Sequence, residues 1–122
     1  MTPMEIGTKL VAFVNAGKND DAMRELYATD IVSVEAGAPP GGHPESHGLD
    51  ACLAKSKGWV AAHEIHGAEV EGPFPNGDRF AVVFRYDITQ KASGKRFKMN
   101  EVALFTVKAD KITREEFFYA MG

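Results

Sequence analysis

Arg85, Asp87 and Glu101 are charged residues set inside otherwise apolar β-type runs. A strand alternates its faces, so Arg85 and Asp87 share one face, and Met99, Glu101, Ala103 and Phe105 share another. A hairpin turn centred near Ser93 places Arg85 directly opposite Glu101. Such an arginine–carboxylate pair is either a structural ion pair or the floor of a polar-bottomed pocket. In a pocket, an arginine beside two carboxylates moves their proton affinities apart and leaves one acid and one base. A buried, unpaired charge is too costly in either case, so pairing is expected.

A second acidic pair, Glu115 and Glu116, points to opposite faces of a later run. A two-residue turn at Ala109–Asp110 puts Glu116 and Phe118 on the Glu101 face, and the register turns on one residue. His63-Glu64-Ile65-His66 is one residue short of the helical zinc motif and crosses a helix end, so no metal is expected; a capping role suits His63. His43 and His47 fall in a Pro/Gly-rich loop. The single Cys52 rules out an intramolecular disulfide and reads as a buried, inert thiol.

The elements that must position these groups follow from periodicity. Met4–Ala16 carries Ile6, Leu10, Val11, Phe13 and Val14 at helical spacing and stops at Gly17. Asn19–Asp21 opens a second short helix with Met23, Leu26 and Tyr27. Ile31–Glu35 reads as a strand, Ala36–Gly48 as a loop, Leu49–His63 as a third helix and Glu64–Glu71 as a strand. The stretch Pro73-Phe74-Pro75-Asn76-Gly77 reads as a turn. Arg79–Thr89, Arg96–Val107 and Lys111–Tyr119 then form an antiparallel meander. Phe80, Val82, Phe84, Tyr86 and Ile88 share a face, expected to lie outside on the sheet and to be covered in a homodimer.

With 122 residues the chain is expected to form one domain, 1–122, large enough for its own core. A net charge of −3 without basic clusters argues against nucleic acid and anionic membranes as partners. No apolar run reaches membrane length and the N-terminus lacks signal-peptide features, so a cytoplasmic location is expected. Helices followed by a sheet make the fold class α+β, with helices packed on one face of a curved antiparallel sheet.

The order helix–helix–strand–helix–four strands resembles the nuclear transport factor 2-like superfamily, with its SnoaL-like polyketide cyclases, ketosteroid isomerases and limonene epoxide hydrolases. The residues carrying the resemblance are Val14-Asn15-Ala16-Gly17, Asp30–Glu35, His47-Gly48-Leu49-Asp50-Ala51 and Asp110–Tyr119. It implies a cone-shaped, curved antiparallel sheet with the three helices of the N-terminal half packed on its concave face, an apolar internal cavity, and a dimer. Of the ketosteroid isomerase positions, the tyrosine is Leu10 here and the base is Ala36, while Glu101 matches the second acid. The epoxide hydrolase Arg-x-Asp motif matches Arg85-Tyr86-Asp87, and its second aspartate falls at Phe117. The expected function is a cofactor-free isomerase-, cyclase- or hydrolase-like enzyme for a small apolar molecule. Glu101 or Asp87 moves the proton, Arg85 orients it, and Glu115, Tyr119, Phe105, Phe117, Trp59 and His47 contact the ligand. The alternative is a non-catalytic ligand-binding or dimerisation module.

Overall fold

The computed structural model of the chain describes residues 1–38 and 41–120, so Pro39 and Pro40 of the expected Ala38–Gly42 turn lie outside the described residues. Three helices, α1 (Pro3–Asn15), α2 (Asn19–Leu26) and α3 (Leu49–Ala62), accompany six strands: β1 (Tyr27–Val34), β2 (Glu45–His47), β3 (His63–Asn76), β4 (Arg79–Gln90), β5 (Lys95–Lys108) and β6 (Lys111–Phe118). The strands form one curved sheet in the order β2-β1-β6-β5-β4-β3. Neighbours are antiparallel except β1 and β6, which run parallel. No helix among the described residues is long and apolar enough to cross a membrane.

Thr2 and Glu5 begin α1 with a reciprocal cap: the Glu5 N–H donates to Thr2 Oγ1 and the Thr2 N–H to the Glu5 carboxylate. Gly7 lets α1 lie directly on the sheet, because a Cβ there would stand 2.7 Å from Pro73 Cβ. Pro73 and Pro75 belong to β3 rather than to a turn. As an edge strand, β3 tolerates prolines that cannot donate to a ladder.

The core lies between the helices and the concave face. Ile6 and Leu10 of α1 and Leu26 of α2 meet Ile31, Phe80, Val82, Phe105 and Ile112 from the sheet. Phe80, Val82, Phe84 and Ile88 are buried and Tyr86 is partly buried, so this row faces inward. That corrects the expectation that it covers the outer side: the more apolar of two alternating rows goes to the core. The outer side carries the other row, Ala81, Val83, Arg85 and Asp87.

Two turns decide which charges enter the concave face. The β4–β5 turn holds four residues, Lys91–Gly94, with Gly94 in the left-handed region (φ 69°) and its N–H bonded to the Gln90 carbonyl. Gln90 pairs with Lys95, and the ladder then sets Phe84 opposite Glu101 and Arg85 opposite Asn100. The β5–β6 turn is the two-residue turn Ala109–Asp110, both left-handed. A bulge follows: Thr106 pairs with Arg114 and Val107 with Ile112, leaving Thr113 unpaired. That extra residue turns Glu115, Phe117 and Tyr119 inward.

Candidate functional site

A cavity of 720 Å³ opens between α1, α2, α3 and the concave face. Most of its lining is apolar, including Leu10, Val14, Met23, Trp59, Phe84 and Phe105. The exposed lining residues Val60, Ile65 and His43 mark its opening. Against this background stand a few polar groups, brought together from four elements.

Alternation along β1 sends Tyr27, Ile31 and Ser33 inward and carries Glu35, just past its end, to the same side. Helical spacing on α3 puts Cys52, Lys55, Ser56 and Trp59 on one face. From β5 comes Glu101, and from β6 and its end come Glu115, Phe117 and Tyr119. These groups form two connected arrays. Tyr27 OH donates to Glu115 Oε2, and Ser33 Oγ donates to Glu115 Oε1 (2.8 Å). Lys55 Nζ donates to Ser33 Oγ (2.5 Å) and pairs with Glu35 Oε1 (2.7 Å), while Tyr119 OH donates to Glu35 Oε2 (2.8 Å). The Lys55 ammonium also sits 5.1 Å from the centre of the Phe117 ring.

Glu101 stands apart. Among the described residues it takes no hydrogen bond and no ion pair. Burial pushes its carboxyl up to about 7, the like charges of Glu35 and Glu115 add to this, and Lys55 pulls back. Burial also raises the Glu115 carboxyl, against the hydrogen bonds from Tyr27 and Ser33. The Tyr27 phenol is raised well above its ordinary value by burial and by Glu115, so it donates rather than ionises. Burial pushes the Cys52 thiol up to about 11, which suits an inert packing residue.

Glu101, Glu115, Tyr119, Phe105, Phe117 and Trp59 therefore all line the cavity. Three other expected site residues do not. Arg85 lies on the outer face, where its guanidinium pairs with Glu71 at 3.0 Å and is 45% exposed. Asp87, on the same face, accepts two hydrogen bonds from Arg96 (3.0 and 2.9 Å), which lower its proton affinity. One residue of register separates this arrangement from an Arg85–Glu101 pair. His47 is exposed and meets Glu45 (3.1 Å); alternation along β2 sends Ser46 to the cavity instead. His63 Nδ1 donates to the Trp59 carbonyl (2.8 Å) at the end of α3, and His66 contacts Thr89. No group of three or more His, Cys, Asp or Glu among the described residues is placed to hold a metal ion.

Sequence reasoning missed Lys55 and the role of Glu35. The available signal was spacing: Lys55 is three residues after Cys52 and four before Trp59, and so lies on the helix's inward stripe.

The sequence model of the SnoaL-like domain matches residues 1–119. A crystal structure of a proposed SnoaL-like polyketide cyclase from Mesorhizobium loti, whose designation also carries the words carbohydrate phosphatase, is 45% identical. It superposes with a TM-score of 0.92 over 98% of this chain and 100% of its own. A Catenulispora acidiphila protein with a ketosteroid isomerase-like fold is 22% identical (TM-score 0.74; 99% and 88% covered). A nuclear transport factor 2-like protein from Burkholderia thailandensis is also 22% identical (TM-score 0.79; 98% and 92%). At that identity these two show the fold alone. No curated protein matches the chain.

Proposed function

Because the chain belongs to the SnoaL-like domain family, we propose that it is an acid–base enzyme acting on a small, mostly apolar molecule inside the 720 Å³ cavity. The observation that carries this reading is Glu101: an unpartnered carboxyl among apolar walls, with its proton affinity raised to about 7. A group that both holds and releases a proton near neutral pH is what general acid–base chemistry requires. Glu101 takes the proton from the substrate and returns it at another position, which serves an isomerisation or a cyclisation. Lys55, Glu35 and Tyr119 make the polar end of the cavity and orient the substrate's oxygen function. Glu115, held by Tyr27 and Ser33, fixes β6 against β1 and supplies a negative neighbour that favours a proton on Glu101. Arg85 and Asp87 have no part in this reading. The enzyme works in the cytoplasm as a homodimer.

A panel of ring ketones, epoxides and poly-β-ketone fragments, assayed across pH, tests the proposal. The expected result is turnover with an inflection near 7 that Glu101→Gln abolishes while melting is unchanged. Ligand-induced stabilisation with no turnover anywhere in the panel favours the binding-module alternative.

A further inference from the structure

Every acidic group of the cavity but one is matched. Both oxygens of Glu115 are taken by Tyr27 and Ser33, and both oxygens of Glu35 by Lys55 and Tyr119. Among the described residues Glu101 has neither a donor nor a cation. Phe84 stands opposite it on β4, and Tyr86 is the next inward residue along that strand. Tyr86 stacks on Phe84 (ring centres 6.0 Å, planes within 6°) and meets the Trp59 ring at 5.3 Å. Trp59 is in turn stacked on His63 (4.7 Å). A partly buried carboxylate in a cavity lined by aromatic rings attracts a cation by charge, and the rings' negative faces add to this. An anionic ligand meets the reverse: the carboxylates of Glu35, Glu101 and Glu115 oppose it, and Lys55 of the lining is already paired.

We infer that the cavity takes a small apolar ammonium cation, an alkyl- or arylalkylamine, with its charged head between Glu101 and the Trp59–Tyr86 wall. Its apolar part then lies along Leu10, Val14, Ala22 and Met23 of the lining. This rests on the reading that the cavity is the ligand site, and it names a class of ligand held at Glu101 rather than the substrate of the proton transfer. The titratable and charged groups that line the cavity with Glu101 are Tyr86 on β4, Cys52 and Lys55 on α3, Tyr27 on β1 and Glu35 beyond it, Glu115 on β6 and Tyr119 beyond it, and His43 in the β1–β2 loop. A proton and an ammonium compete for the same carboxylate, so cation affinity rises with pH until Glu101 is ionised.

The test compares benzyltrimethylammonium with neopentylbenzene, its neutral isostere, by calorimetric titration of the full chain at pH 6 and pH 8. At pH 8 the cation binds about tenfold more tightly than the isostere, and several-fold less tightly at pH 6 than at pH 8. Glu101→Gln removes both the preference and the pH dependence while still binding neopentylbenzene. Trp59→Leu, checked for unchanged melting, weakens the cation more than the isostere. Equal wild-type affinities for the two probes overturn the inference and leave the cavity reading standing. Binding of neither probe overturns both. A cation affinity unchanged by Glu101→Gln also overturns the inference.

Discussion

Lys55 Nζ lies 2.7 Å from Glu35 Oε1, joining α3 to the end of β1 at the polar end of the cavity. Both side chains are less than a third exposed, and each has further partners: Ser33 for the lysine, Tyr119 for the glutamate. The pair is a tie between helix and sheet as well as a source of charge. It also restrains Glu101, whose proton affinity Lys55 lowers.

Lys55→Met removes the cation and leaves Glu35 with only Tyr119. The pair is partly buried, so the expected loss lies between the exposed and fully buried cases, roughly 1–3 kcal/mol. Lys55→Arg should recover much of it. Urea unfolding of the three proteins measures both effects. A loss as small as that of a surface lysine would remove Lys55 from the cavity's framework.

Arg85 supplies the contrasting case. Its partner Glu71 is 55% exposed, and the pair lies on the outer side of the sheet. Arg85→Met should cost about 0–1 kcal/mol in the same unfolding experiment and leave ligand affinity unchanged. A cost of several kcal/mol would mean that the guanidinium meets a buried carboxylate after all.

These two residues show what the sequence made legible. The α+β class and the order of every element but β2, a three-residue strand inside the expected Ala36–Gly48 loop, were readable because periods of 3.6 and 2 are long-range signals: Ile6, Leu10 and Leu26 on helices, and Phe80 to Ile88 on a strand. The concave face was harder. Whether Arg85 or Phe84 meets Glu101 depends on half a residue in the centre of one turn, and Gly94 with its positive φ settles it. Whether Glu115 or Glu116 enters depends on the Thr113 bulge, and a threonine in a polar-flanked strand carries no mark of one. Lys55 was hidden differently. A lysine on a helix usually reaches water, and its inward position depends on Glu35 and Ser33, which are distant in sequence.

The outer face bears on assembly. Val83 pairs across the sheet with Val102, and Val102 with Phe118, making an apolar row beside Ala81 and Leu104. Val102 and Phe118 are 39% and 51% exposed. Such a row is suited to a two-fold contact between copies of the chain. Light scattering at micromolar concentration should give twice the 13.3 kDa chain mass, and Val102→Glu should shift the species toward the monomer. A wild-type protein that stays monomeric at that concentration rejects the dimer.

The raised proton affinity of Glu101 has a consequence for stability that requires no substrate. Its carboxyl titrates at about 7 in the folded chain, against an ordinary value of 4.5. Below both values the group is protonated whether the chain is folded or not, and folding carries no penalty from it. Between them the unfolded chain releases a proton that the folded chain keeps, so stability falls as pH rises. Above 7 the carboxylate is ionised in both states and the full cost remains, about 3 kcal/mol at most. Glu101→Gln removes the titration and keeps the shape. The variant should therefore match the wild type near pH 4 and exceed it in stability at pH 8, with the difference developing between those limits. Glu115, whose affinity is also raised, contributes in the same direction to both proteins and largely cancels in the comparison. Urea unfolding of the pair at several pH values gives the difference directly. A difference that stays flat with pH would show that Glu101 is solvated like a surface glutamate, and the acid–base role proposed for it would lose its physical basis.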